Sequence, residues 1–191
     1  MKLIVFNRKA GDPIEAVPAI ELIPDSAIIL PGRPIFLPDF SSDWKAELLP
    51  AVRISRLGKA IKSRFAPRYY DAVALLLRLR PIDLEEELRA KGLSTSIASS
   101  FDNCIQLGEW IELPAEGIDR DIEISFSGQS INLTPSQIKI NEAIESVSRF
   151  LTIKTGDIIA PLAIDPGIDV AVGLDFHASI NSRPTLTARL K

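Results

Sequence analysis

The sequence predicts a strand-rich α+β domain with a largely antiparallel or mixed sheet core. Three observations point to it. Many short apolar or alternating runs are separated by turn residues, and the chain holds 14 prolines and 10 glycines to supply them. Only two stretches carry helical periodicity with start and stop signals. No Gly/Ser-rich linker divides the 191 residues, and that length supports one substantial core. The expected organisation is therefore a single domain over 1–191, in which 1–24 form an N-terminal strand and a variable, lid-like segment.

Taken in order, the strand runs are 2–6, 28–30, 47–55, 72–80, 122–126, 130–133, 157–164 and 169–181. In "DWKAELLPAVRISRLGK" Leu48 and Val52 alternate with Glu47, Leu49, Ala51 and Arg53, as strand residues do. Pro50 removes a ladder donor there, which points to an edge, a bulge or a strand start. "SFSGQSI" reads as a hairpin around Gly128. In "PIDLEEELRAKG", Asp83 followed by Glu86 marks a helix start and Gly92 marks its end. The run Glu85-Glu86-Glu87 is expected on that helix's solvated face. "NEAIESVSRFL" sets Ala143, Ile144, Val147 and Phe150/Leu151 on one apolar stripe.

Composition excludes several function classes. One Cys104 rules out an intramolecular disulfide, and one cysteine with one histidine cannot build a zinc cluster. A net charge of −3 argues against a general nucleic-acid surface. No apolar run reaches membrane-spanning length, and "MKLIVF" is too short for a signal-peptide core, so the expected setting is cytoplasmic with neither nucleic acid nor membrane as partner. Strand alternation puts His177 with Asp175, opposite Leu174 and Phe176, and no partner is evident. Cys104 lacks a nearby base and reads as a small buried hydrophobe. "DPGID", 165–169, has too few oxygen ligands for calcium and reads as a turn.

The order of several segments carries more information than any one of them. "RISRLGKAI", "YYDAVALLLRLRPIDLEEELRAKGL", "SFDNCIQLGEWI", "LTIKTGDIIA" and the ending "SINSRPTLTARLK" together resemble the fumarylacetoacetate hydrolase family, collinearly from about Asp25 to Lys191. The resemblance implies that family's C-terminal-domain fold of layered mixed sheets, assembled as a homodimer. It also implies Mg²⁺-assisted hydrolysis, isomerisation or decarboxylation of 1,3-dicarbonyl acids, in which the ion acts as a Lewis acid.

Carried over residue by residue, the family's metal-binding glutamates fall on Glu47 and Leu49, and its aspartate on the next strand falls on Arg78. Asp83 is kept, whereas Pro81, Ile82 and Glu85 replace the family's alanine, arginine and glutamine. Its lysine falls on Ser99, before an intact Phe101-Asp102. Its Thr-Gly-Thr-Pro loop falls on Pro161-Leu162-Ala163-Ile164, and its N-terminal histidine has no counterpart after "VFNRKAG". One glutamate does not make a Mg²⁺ shell, and a guanidinium in the aspartate's place repels a cation. The expectation is thus no metal, no cofactor and no catalytic residue. What remains is a remnant pocket of Glu47, Leu49, Arg78, Arg80, Ser99 and Asp102, with Arg78 pairing Glu47. Arg78 and Arg80 are the candidate binders of a small carboxylate. The expected function is a catalytically silent family member; the alternative is a metal-independent hydrolase, isomerase or decarboxylase.

Overall fold

The structure, a computed structural model, describes residues 1–191 apart from the side chains at 165 and 166. The first half runs β1 (Lys2–Phe6), β2 (Ile20–Pro24), β3 (Ile28–Ile29), β4 (Trp44–Ile54), β5 (Tyr70–Pro81), α1 (Ile82–Ala90), α2 (Ser96–Ser99), β6 (Ile105–Leu107) and β7 (Ile111–Glu112). The second runs β8 (Ile122–Phe126), β9 (Gln129–Leu133), α3 (Pro135–Ile138), α4 (Ile140–Phe150), β10 (Ile158–Ala160), β11 (Ile164–Asp169), β12 (Asp175–Ile180) and β13 (Arg183–Arg189).

Among the described residues the strands form two sheets. The larger has the order β2-β1-β10-β4-β5-β6-β3, with β11 also on β4 and β7 also on β5. It is mixed, because β1 runs parallel to β10 and β3 parallel to β6 while the other pairs are antiparallel. The smaller is the antiparallel order β13-β12-β8-β9. The core lies where the apolar sides of β4 and β5 meet the remaining layers, and Leu48, Leu49, Leu75, Leu76, Leu77 and Leu79 are all at most 1% exposed. Burial on both faces explains why these two strands read as continuous apolar runs.

Pro50 sits neither at an edge nor at a strand start. In β5, Leu75 and Leu79 direct their backbone groups toward β6, where Gly108 donates to the Leu75 carbonyl and Leu79 donates to the Cys104 carbonyl. A residue opposite such a position in an antiparallel pair also turns its backbone groups outward. Pro50, opposite Leu75, therefore directs its nitrogen toward β10 and β11. β10 covers β4 at Val52 and Arg53, whereas β11 covers it from Leu48 to Lys45. Pro50 falls in the gap between them, so no ladder bond is lost.

Other expectations need correction. The single strand expected over 157–164 is two, because the chain leaves the ladder at Pro161 and re-enters it at Ile164. The run 169–181 narrows to β12 after a turn at Gly173, whose φ is +90°. The turn expected at 165–169 lies partly outside the described residues; β11 has a register shift between Ile164 and Ile168. Asp83 does not cap α1, whose N-cap is Pro81. Its carboxylate instead accepts from the Ser41 and Ser42 hydroxyls and the Ser42 and Leu84 amides, tying the preceding loop to the helix. α4 buries Ala143, Ile144 and Val147 as its periodicity requires, but Phe150 at its end stays 49% exposed. Among the described residues no helix is long and apolar enough to cross a membrane.

Candidate ligand cavity

The pairing register of β4 and β5 brings the first site residues together. Glu47 lies opposite Arg78, and Lys45 opposite Arg80. Arg78 Nη2 donates to Glu47 Oε2 at 2.6 Å, and Arg80 Nη1 donates to Glu47 Oε1. The other Arg78 terminal nitrogen, Nη1, donates to Glu21 Oε2 of β2 at 2.9 Å. On the opposite flank, Arg80 grips Glu85 of α1 with a two-pronged contact, Nε to Oε1 at 2.6 Å and Nη2 to Oε2. Arg89, one turn further along α1, donates to Glu85 Oε2 at 2.9 Å. The result is an alternating ladder, Glu21–Arg78–Glu47–Arg80–Glu85–Arg89, crossing β2, β4, β5 and α1.

Local sequence explains half of this ladder. Pro81 ends β5 and starts α1 at once, so Glu85 in the first helical turn folds back over Arg80. Glu85 and Arg89 are then an i,i+4 pair with the acid N-terminal, the favourable order. Glu85 is only 3% exposed, which corrects the expectation that it lies on a solvated face. Glu86 and Glu87 are exposed as expected.

The electrostatics follow from burial and these contacts. Burial alone would raise the Glu47 pKa, but Arg78 and Arg80 outweigh it and hold the carboxyl below its ordinary value. The hydrogen bonds and charge of Glu85 and Glu47 likewise raise the pKa of Arg80. In Arg78, only Nε is buried without a partner.

The ladder forms the floor of a cavity of about 560 Å³. Its walls include Arg8 and Asp12 from the segment after β1, Thr95 before α2, and Ala163 and Ile164 at the start of β11. Among the described residues five cationic side chains line it, Arg8, Lys9, Arg78, Arg80 and Arg89, with the three carboxylates of Asp12, Glu21 and Glu47. Arg8 is held in the wall by four carbonyls, those of Asp12, Gln137, Ile138 and Pro161. Burial lowers its pKa.

Glu47, Arg78 and Arg80 of the expected pocket meet here; Leu49, Ser99 and Asp102 do not line the cavity. Leu49 is fully buried opposite Leu76. Ser99 turns its hydroxyl back to the Ser96 carbonyl within α2, and Asp102 is exposed beside a separate cleft with Phe36 and Leu37. Arg78 and Arg80, the expected ligand binders, have five of their six side-chain nitrogens donating to the ladder. Arg89 differs: it is 59% exposed at its side chain, and among the described residues only its Nη2 is engaged. Sequence reasoning missed Arg89 and Glu21. The Glu85–Arg89 spacing could have flagged the first, but nothing local signals the second.

The residues present do not fit a divalent cation. Both Glu47 oxygens are taken by guanidinium groups, and among the described residues no cluster of three histidines, cysteines or carboxylates could hold a metal. Elsewhere, burial pushes the Cys104 thiol up to about 12, which leaves it inert at neutral pH. His177 contacts Thr187 on the exposed side of β12.

The chain belongs to a family of this fold: the fumarylacetoacetate (FAA) hydrolase C-terminal family model matches residues 7–161. The chain is 30% identical over 166 residues to a Pyrococcus horikoshii protein, covering 84% of this chain and 72% of that one. It is 26% identical over 194 residues to the mitochondrial oxaloacetate tautomerase of Homo sapiens, covering 96% and 86%. The fold matches fumarylpyruvate hydrolase from Pseudomonas aeruginosa, solved with Mn²⁺ and pyruvate, at a TM-score of 0.81 and 17% identity over 100% of this chain and 89% of that one.

Proposed function

We propose that the cavity binds a small 1,3-dicarbonyl acid and interconverts its keto and enol forms by proton transfer, without a divalent cation. The observation that carries this reading is Arg78, clamped between Glu21 and Glu47 on the cavity floor. It supplies a fixed positive charge where the family resemblance places a metal-binding carboxylate. Tautomerisation removes a proton from the carbon between two carbonyls and leaves negative charge on oxygen, which a preorganised cation field stabilises. Arg89 has donors left to hold a substrate carboxylate. Glu21 keeps Oε1 outside the ladder, so this oxygen is the candidate to take the carbon-bound proton and return it to the enolate oxygen. Relatives named tautomerase and hydrolase support an active site over a silent one.

A second reading is ligand binding without turnover. It is favoured by the commitment of all three Arg80 side-chain nitrogens to Glu47 and Glu85. One assay separates the two. Decay of enolic oxaloacetate followed by ultraviolet absorbance should exceed the buffer rate, stay the same with chelator or with Mg²⁺, and fall at least about tenfold in Arg89→Ala and Glu21→Gln. Saturable thermal stabilisation by oxaloacetate with no rate above buffer supports the binding reading. Acceleration by Mg²⁺ overturns the cation-free reading.

A further inference from the structure

The connection from β4 to β5 carries a charge pattern unlike the rest of the chain. Between Ser55 and Tyr69 lie Arg56, Lys59, Lys62, Arg64 and Arg68 with no aspartate or glutamate, in a chain whose net charge is −3. All five cations are exposed. Among the described residues only Lys62 of these cations reaches a carboxylate, that of Glu145 at 3.2 Å. The guanidinium groups of Arg64 and Arg68 lie over the Phe65 ring, 4.7 and 5.4 Å from its centroid, and that of Arg56 lies 6.0 Å from the centroid of Tyr69.

Large apolar side chains stand among these cations. Leu57 is 64% exposed, Phe65 38% and Phe150 49%. Phe150 belongs to the same end of the molecule, because Lys59 Nζ donates to its carbonyl at 2.6 Å and Gly58 is bridged to Ile153. The segment is fixed in place on α4: the Ala60 amide donates to the Ser148 carbonyl, Ile61 to Ser148 Oγ, and Ser63 to Glu145 Oε2. None of these residues lines the cavity.

We propose that this face is a docking surface for an anionic lipid headgroup layer. Cations mixed with exposed leucine and phenylalanine are the makeup of interfacial binding, in which headgroups meet the charges and the apolar side chains enter the acyl boundary. Single-stranded nucleic acid fits less well, because it needs open aromatic faces for its bases and the Phe65 ring already carries two guanidinium groups. The whole-chain charge, which argues against such a surface, averages this patch with the acidic remainder. Peripheral binding needs no spanning segment.

The test is co-sedimentation of the full chain with phosphatidylcholine vesicles, with and without phosphatidylserine. Binding is expected only with the anionic lipid and should weaken as salt rises. Each cation near such a surface adds roughly fivefold to partitioning, so Arg64→Glu with Arg68→Glu should reduce it by more than about tenfold. Leu57→Ser with Phe65→Ser should reduce it at low salt too. Arg56→Glu with Lys59→Glu is the second charge variant, and thermal melts show which variants keep the parental fold. The proposal is overturned by equal sedimentation with neutral vesicles, or by charge variants that bind like the parent. It is also overturned if the patch captures single-stranded RNA but not anionic vesicles, or if it closes a dimer that the charge variants split.

Discussion

Glu47 is a carboxylate on which burial and two guanidinium groups act in opposite directions, and the guanidinium groups win. Its side chain is 15% exposed and that of Arg78 4%, so neither charge can fall back on water if its partner is lost. Removing one member leaves the other its second ladder partner, Glu21 for Arg78 or Arg80 for Glu47, so the loss falls below the roughly 3–5 kcal/mol of breaking an isolated buried pair while exceeding that of a surface contact. Urea unfolding of Glu47→Gln, Arg78→Met and the double variant should therefore give a coupling energy above about 1 kcal/mol. Coupling below that value, fading with salt, would mean that the pair behaves as a solvated surface contact.

The element that joins the two sheets is the end of β6. Gly108 follows it, donating its amide to Leu75 of β5, while Glu109 donates to Thr185 of β13. A Cβ at Gly108 would lie 2.5 Å from the Thr185 carbonyl oxygen and 2.8 Å from that of Leu75. Both are backbone atoms in paired strands, so neither can swing aside. Gly108→Ala should cost about 1–3 kcal/mol, the usual penalty of overpacking a close-packed site. A denaturation midpoint equal to the parent's would show that β13 can shift away from β5 without loss. α1 shows how an element serves the site. Its abrupt start after Pro81 turns Glu85 back onto Arg80 and presents Arg89 at the cavity.

For the whole molecule, depressed carboxyl pKa values set the response to acid. Glu47, Asp83, Glu145 and Asp175 are all held below their ordinary values, Asp83 by hydrogen bonds from Ser41, Ser42 and Leu84 and the others by hydrogen bonds together with neighbouring cations. The folded state therefore binds fewer protons than the unfolded chain near the ordinary carboxylate range. Their stabilisation is fully present above the unfolded values, roughly pH 4, and is lost as pH falls through the folded values. The urea midpoint should drop steeply below about pH 4, and less steeply in Glu47→Gln; equal slopes would remove Glu47 from this role. The sequence by itself determined the strand-rich α+β class, the β8–β9 hairpin, the buried stripe of α4 and the family. It also led to the pairing of Arg78 with Glu47. Each depends on periodicity, turn chemistry or motif order, which are properties of contiguous residues. Tertiary structure alone decided that Pro50 falls in a gap between two neighbouring strands, and that Leu49, Ser99 and Asp102 stand apart from the cavity. It also recruited Glu21, 57 residues from Arg78, to complete the ladder. Short strands such as β6 and β7 likewise escaped the sequence reading. Their pairing energy comes from partners distant in the chain, β3 and β5, whose approach no local pattern records.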